Sequence, residues 1–242
     1  MPPLTPMIKK LILWNVGIWV LQTLDGTSGL FTSWDGVPLF TVNLQGLERG
    51  YLWQPFTYMW LHDPQIPLHV IMNMFALYMF GTQLEQLWGP RRFLRFYVLC
   101  GVGAGLLIAF CNWIFDERLS GGTLGASGAV FGVLTAYALL WPNRQVMLLF
   151  PPVPIKAIWL IPALFIMQYF FSGDTEVSHV AHLGGVLVGA ALLRDETREA
   201  LNLGTLRQRW NRYRMRGRLR AVRRDEWERR RRSDDDDRPT YH

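Results

Sequence analysis

The sequence predicts an all-α membrane protein, built as a bundle of six transmembrane helices with a first loop that lies in the membrane interface. Half of the 242 residues are apolar, and they gather in long runs that contain few charges. The run from Val70 to Trp88 carries Glu85 as its only formal charge and is close to the ~20 residues that a helix needs to cross a bilayer. One membrane domain with a charged tail therefore fits this composition better than one or two soluble domains.

Six apolar runs define the predicted spans. They cover residues 8–24, 69–88, 93–115, 124–141, 157–173 and 177–193. The first run has a basic flank but no small-residue cleavage site, so we interpret it as an uncleaved anchor rather than a signal peptide. The segment from Val146 to Pro154 contains three prolines, and it is predicted to form a turn that touches the bilayer rather than a helix.

The distribution of charge predicts the orientation of these spans. Residues 1–193 carry nine basic and nine acidic residues, whereas residues 194–242 carry sixteen arginines and ten acidic residues, so the net charge of +6 belongs to the tail. Short loops rich in Lys and Arg stay in the cytoplasm. In this sequence such loops alternate with loops whose only basic residues are Arg49 and Arg118. We therefore predict a multi-pass protein of the cell (inner) membrane with both termini cytoplasmic, a membrane domain over residues 1–193 and a cytoplasmic tail over residues 194–242.

Two segments outside the spans have unusual compositions. The first loop, residues 25–68, is dense in aromatic residues that favour the membrane interface, among them Trp34, Tyr51, Trp53, Phe56, Tyr58 and Trp60. The arginine-rich tail is predicted to be partly disordered. Its Leu203, Leu206, Trp210 and Tyr213 recur at helical spacing, which is compatible with a short interfacial helix held by anionic lipid. Nucleic-acid binding is the alternative for such a segment, and we do not expect it.

A serine and a histidine lie inside two of the predicted spans. Ser127 stands at the opening of the fourth run, shortly after Gly125, and His182 lies in the sixth. Polar groups at membrane depth are costly unless they are paired, and a serine hydroxyl needs a nearby base to act as a nucleophile. Glycine beside the serine leaves amide hydrogens free near a helix N-terminus, where an oxyanion is stabilised. Taken alone, His182 could equally be a buried hydrogen-bonding residue between helices.

Small residues predict that these two helices meet. Gly128 and Gly132 form one stripe of the fourth helix, and Gly185 and Gly189 form one stripe of the sixth. Residues four apart on a helix share a face, and small residues there let backbones pack closely in membranes. Contact between the two stripes would bring His182 within reach of the serine.

A further polar pair lies on the second predicted helix. His69 and Asn73 are four residues apart and share one face. Imidazole and carboxamide groups can supplement a backbone amide in holding an oxyanion. A simple polar contact between helices would look the same in sequence.

Three motifs together resemble the signatures of the rhomboid intramembrane serine proteases, in the order of that family and on its second, fourth and sixth helices. They read His69-Val-Ile-Met-Asn73, Gly125-Ala-Ser127-Gly128 and Ala181-His182-Leu-Gly-Gly185, the last with Gly189 four residues further on. The resemblance covers about residues 8–193 and implies a six-transmembrane-helix rhomboid-like bundle.

The resemblance also implies an activity: a serine endopeptidase that cleaves transmembrane-helix substrates near the extracytoplasmic membrane face. Its catalytic pair would be Ser127 as nucleophile and His182 as base, with no acid. The oxyanion would be held by His69, Asn73 and the Ser127 amide, with Gly125 shaping the pocket. No cofactor and no metal are implied, and the partners would be transmembrane protein substrates and membrane lipids.

Other residues follow or depart from the family pattern. Glu85 matches a structural glutamate at the end of a helix. Gln54 follows Trp53 where many members have arginine, so an arginine-dependent contact of the first loop is replaced by a group that can still hydrogen-bond. His179 lies three residues before His182 and competes with it as the base. We choose His182 because it alone has glycine three and seven residues further on.

Two other classes of protein compete with the protease. A catalytically silent rhomboid-like protein that binds transmembrane clients would be marked by loss of the serine or the histidine, and this chain has both. A transporter is disfavoured because the sequence has neither an internal repeat nor paired broken helices.

Overall fold

The computed structural model describes residues 3–26, 31–32, 36–115, 122–148, 152–171 and 179–194. Contacts divide the chain into two units, Met1–Thr197 and Arg198–His242, and all described residues belong to the first. The predicted tail beyond Arg194, with its interfacial helix, lies outside the described residues, as does Trp34 of the first loop.

Nine α-helices and one short hairpin form the described part of the chain. The helices are α1 Pro6–Asp25, α2 Leu44–Glu48, α3 Gln54–Thr57, α4 Pro67–Ala76, α5 Thr82–Trp88, α6 Pro90–Phe115, α7 Ser127–Leu140, α8 Leu160–Phe171 and α9 His179–Leu192. Single 3₁₀ turns follow α3 (Tyr58–Trp60) and precede α8 (Ala157–Trp159), and a π-helical turn, Leu77–Gly81, joins α4 to α5. The antiparallel strands β1 Gln145–Met147 and β2 Pro154–Lys156 pair Val146 with Ile155.

Each of the six predicted apolar runs overlaps a helix, and the second run overlaps α4, the π-helical turn and α5 in succession. Among the described residues, α6 is the one helix both long and apolar enough to cross a membrane by itself. The helices of the last three runs are apolar but shorter. The number of spans therefore remains a prediction. In the proline-rich segment, the described residues 146–148 and 152–154 are non-helical as predicted, and Met147 pairs with Pro154 in the hairpin.

Helix α7 lies at the centre of the bundle, and every residue from Gly128 to Ala138 is buried. It runs antiparallel to α6, because a Cβ added at Gly128 would meet Ala104 and one added at Gly132 would meet Cys100. On its other side it touches α9. A Cβ at Gly185 would overlap the Gly128 carbonyl oxygen, so the two predicted glycine stripes do meet.

Glu85 fixes the start of α1 against α5. Its buried carboxylate accepts hydrogen bonds from the backbone N–H groups of Met7 (3.0 Å) and Ile8 (2.9 Å) and from the Thr5 hydroxyl. The first N–H groups of a helix have no partner within it and carry the positive end of its dipole, so a carboxylate stabilises this position. The contact is the structural role expected for Glu85.

The first loop is organised around the fully buried side chain of Gln54. Its Oε1 accepts a hydrogen bond from the backbone N–H of Asn43 (3.2 Å), and its Nε2 donates to the carbonyl of Pro38 (3.1 Å). A glutamine can therefore bridge this loop without an arginine. The same loop also forms an antiparallel bridge between Val42 and Thr123, and this bridge connects the loop to the turn before α7.

Candidate active site

Ser127 is the first residue of α7, and the first loop holds the turn that precedes it. Val42 and Thr123 exchange two backbone hydrogen bonds of 3.0 and 2.8 Å. The N–H of Gly125 donates to the carbonyl of Tyr58 at 3.0 Å, and the hydroxyl of Tyr58 donates in turn to the Gly101 carbonyl of α6 at 2.8 Å. The position of the serine is therefore set by long-range contacts as well as by its own helix.

Gly125 and His69 lie against each other beside the serine. The backbone of Gly125 has a φ of +129°, and a Cβ at this position would lie 2.9 Å from Nε2 of His69 and 3.8 Å from Oγ of Ser127. Both the conformation and the space require glycine. The imidazole of His69 thus borders the same space as the serine hydroxyl, which is where an oxyanion donor is needed.

Asn73 lies one turn after His69 on α4 and is buried. Its Nδ2 donates a hydrogen bond to the carbonyl of His69 at 3.0 Å. This bond holds the carboxamide along its own helix, and the second amide hydrogen has no partner among the described residues. That hydrogen is available as a donor.

His182 is buried between an aromatic ring and an amide. Its ring stacks on Phe131 of α7, with centroids 4.2 Å apart and planes within 11°. Its Nδ1 lies 2.9 Å from Oε1 of Gln168 on α8. With the amide oxygen facing the ring, Nδ1 carries the proton and Nε2 is the acceptor, the form of imidazole that acts as a base; Nε2 of Gln168 has no partner among the described residues.

The glycine contact brings the serine and the histidine to the same level of the bundle. A Cβ at Gly128, the residue after Ser127, would lie 3.2 Å from the carbonyl oxygen of Ala181, the residue before His182. Within the described residues no hydrogen bond joins the Ser127 hydroxyl to His182. Such bonds are often long without substrate and tighten when it binds. His179, the competing base, is exposed one turn earlier on α9.

Comparison with known proteins identifies the family. The family model described as the rhomboid domain matches residues 49–194, a segment that contains all the residues described above from Tyr58 to His182. The chain belongs to the rhomboid family.

Individual relatives agree with this assignment. Rhomboid protein 1, mitochondrial, of Saccharomyces cerevisiae is 33% identical over 125 residues, which are 50% of this chain and 36% of that protein. RHOMBOID-like protein 6, mitochondrial, of Arabidopsis thaliana is 33% identical over 153 residues, 62% of this chain and 44% of the relative. Rhomboid protease AarA of Providencia stuartii is 27% identical over 209 residues, which are 75% of this chain and 69% of that protease. The chain thus spans less than half the length of the yeast and plant proteins.

Two residues that border this rhomboid site are not predicted by the sequence. Gln168 lies in an apolar run with no motif around it. His62 is fully buried in the first loop, its ring edge-on to His69 at 5.2 Å, and neither of its ring nitrogens has a described hydrogen-bond partner. Burial, and secondarily the nearby His69, lowers the pKa of His62 to about 3, so this ring is neutral at physiological pH. In the sequence, His62 lies seven residues before His69 of the first motif. This spacing is only a weak indication that His62 borders the site, because a histidine in a loop is usually exposed.

Proposed function

We propose that this rhomboid-family protein is an intramembrane serine endopeptidase that cleaves transmembrane-helix substrates near the extracytoplasmic membrane face. The observation that carries the proposal is the environment of His182, which is buried, level with Ser127 across a glycine contact, and bonded through Nδ1 to Gln168. A histidine that merely joined two helices would need no serine at the same level and no free Nε2.

The proposed reaction is acyl transfer. A substrate helix unwinds locally and Oγ of Ser127 attacks its carbonyl carbon, while Nε2 of His182 takes the hydroxyl proton. The oxyanion accepts hydrogen bonds from the Ser127 N–H, from His69 and from Asn73. His182 then protonates the leaving amine, and water hydrolyses the acyl-enzyme with His182 again as base. Every atom is supplied by the substrate, water and these side chains, so the proposal includes no cofactor and no metal.

Gln168 is a positioning residue in the proposed reaction. Its Oε1 selects the tautomer of His182 and orients the ring, as the carboxylate does in serine proteases with three catalytic residues. An amide cannot stabilise the imidazolium as strongly as a carboxylate does. Gln168 therefore contributes mainly to orientation.

The membrane setting is part of the proposal. We propose six spans within residues 1–193, both termini in the cytoplasm and the cell (inner) membrane as the compartment, from the basic loops and the basic residues that follow α9. The starts of the fourth and sixth spans then face the extracytoplasmic side, from which water reaches the serine. Several relatives have mitochondrial names. The charge rule supports the orientation of the spans, and the compartment stays a proposal.

The rival function is a catalytically silent protein that holds transmembrane clients. The observation that favours it is the missing hydrogen bond between Ser127 and His182. Both functions involve binding of a transmembrane helix, and they differ in whether a peptide bond breaks.

Cleavage of a model transmembrane substrate by the purified full-length protein tests the proposal. We expect Ser127→Ala and His182→Ala each to abolish cleavage while the protein stays folded, and His179→Ala to retain most of the activity. Binding of the substrate without cleavage by the unaltered protein would establish the silent function. Loss of activity in His179→Ala with activity in His182→Ala would reverse the assignment of the base.

A further inference from the structure

An apolar groove of about 1010 Å³ lies between α1, the first loop and α6, away from Ser127. Its walls include Leu11 and Trp14 of α1, Trp60 of the first loop, and Leu94 and Val98 of α6. Lys10 is the one charged side chain among the groove's described lining residues. An open apolar surface of this size in a membrane protein is filled by a hydrocarbon chain or by another protein helix.

A second cavity, of about 530 Å³, lies at the turn from α5 to α6 and is basic. It is lined by Trp88, Gly89, Pro90, Arg91, Arg92 and Arg95. The guanidinium of Arg92 stacks over the Trp88 ring at 5.3 Å. Arg91 and Arg95 are exposed, and no carboxylate of the described residues pairs with either of them. Two unpaired guanidinium groups in one cleft match the charge and geometry of a phosphate.

One face of α6 contributes to the lining of both cavities. Four residues follow each other there at helical spacing: Arg91, Leu94, Arg95 and Val98. The arginines line the basic cleft, and the two apolar residues line the groove. The Glu85 contact holds the start of α1 at this same end of α6, which places Lys10 at the basic end of the groove.

We infer that this surface, formed by α1 and the first half of α6, binds an acidic phospholipid. The phosphate lies on Arg91 and Arg95, and an acyl chain follows the groove past Leu94 and Val98. Basic pockets between membrane helices recognise anionic lipid headgroups, and the apolar wall adds the burial of the chain. A transmembrane helix of another protein would fill the groove but would leave the arginines without a counter-charge, so charge complementarity selects the lipid.

A photoreactive lipid tests this site on the full-length protein. The probe is a phosphatidylglycerol with a diazirine in one acyl chain, crosslinked to the protein in neutral detergent, with the labelled peptides identified by mass spectrometry. We expect labelling of α1 and α6 residues that line the groove. Unlabelled phosphatidylglycerol should compete at least 10-fold better than phosphatidylcholine. Counting only groove peptides separates this site from lipid bound by the arginine-rich tail.

Matched variants distinguish the contribution of the lipid headgroup to binding from that of the acyl chain. The pair Arg91→Gln with Arg95→Gln should weaken competition by phosphatidylglycerol about 30-fold, as expected for the loss of two basic residues beside an anionic headgroup. Lys156→Gln, which removes an exposed charge on β2, is the control. Val98→Trp should block labelling of the groove, whereas Leu106→Trp, at a position of α6 that is exposed outside the groove, should not. Thermal unfolding verifies that each variant is folded.

Three results would overturn the proposal. Equal competition by phosphatidylcholine would show that the arginines select no headgroup. Unchanged competition in the double arginine variant would place the phosphate elsewhere. Crosslinks between two copies of the chain through the groove, with no lipid adduct there, would assign the surface to a protein interface.

Discussion

The side chain that orients His182 comes from a different helix from the one that carries the serine. Phe131 of α7 covers one face of the imidazole and Gln168 of α8 accepts from Nδ1, so the ring is restrained both in its plane and in its tautomer. A base that must take and return a proton benefits from such restraint, because the correct nitrogen then faces the nucleophile in every turnover. In the proposed reaction, we expect this restraint to affect the rate of the chemical step rather than the affinity for the substrate.

We predict that Gln168→Leu lowers kcat about 10-fold to 100-fold with little change in KM, because leucine has similar volume but accepts no hydrogen bond from Nδ1. This loss is smaller than the ~10²–10⁴-fold range for complete loss of acid–base catalysis. Gln168→Glu restores an acceptor and should recover most of the activity. Steady-state cleavage of one model substrate by the three proteins measures this, and equal activity of the leucine and glutamate variants would remove Gln168 from the scheme.

At the scale of elements, the site depends on how closely α7 and α9 approach. The backbone of Gly185 touches that of Gly128, and Gly189 packs on Gly132 one turn further along. A side chain at this contact meets backbone rather than a flexible side chain, so no change of rotamer can relieve it. The helices would have to move apart, and His182 would move with α9.

We predict that Gly185→Ala destabilises the protein by at least the ~1–3 kcal/mol typical of overpacking and also abolishes cleavage. Gly17→Ala on α1 is the matched control, since a Cβ there has nothing within 4 Å and alanine is the better helix former by ~1 kcal/mol. Midpoints of thermal unfolding in detergent measure both variants. A Gly185→Ala protein as stable and active as the unaltered one would show that α7 and α9 do not touch in this way.

Helix positions can be predicted from the sequence here because long apolar runs, with all backbone groups bonded internally, are helices in membranes. The glycine stripes predict one helix pair for a similar reason. The π-helical turn Leu77–Gly81 is not predicted, since hydropathy does not encode the hydrogen-bond register. The contact of Gln168 with His182 joins residues on two helices and has no local pattern. The hydrogen bonds that Gln54 makes in the first loop depend on which carbonyls the folded loop presents.

At the scale of the whole molecule, His182 lies well before the end of α9. His182 is ten residues, or ~15 Å of helix, before the end of α9 at Leu192. Gly128, the residue after Ser127, packs on Ala104 of α6, which is ~20 Å of helix from Arg91. The candidate site and the basic cleft around Arg91 are therefore separated along the bundle.

Because the arginine-rich tail follows the end of α9 in the sequence, we predict that it is dispensable for cleavage. A chain truncated near Leu201 should cleave a detergent-solubilised substrate at nearly the full-length rate. A difference should appear only in bilayers that contain anionic lipid, and it should decrease with added salt, because screening weakens the attraction of the arginines. A truncated protein that is folded but inactive in detergent would mean that the tail helps to assemble the site.

Labelling with a fluorescent fluorophosphonate tests the central claim, an activated serine within a rhomboid bundle, most directly. The reagent reacts covalently with a serine hydroxyl that a neighbouring base has activated, and it requires no knowledge of the natural substrate. We predict that the purified protein and His179→Ala are labelled, that His182→Ala is labelled far more slowly, and that Ser127→Ala is not labelled. Label on Ser127→Ala equal to that on the unaltered protein, or no label on a folded protein with Ser127 intact, would contradict the assignment of Ser127 as the nucleophile.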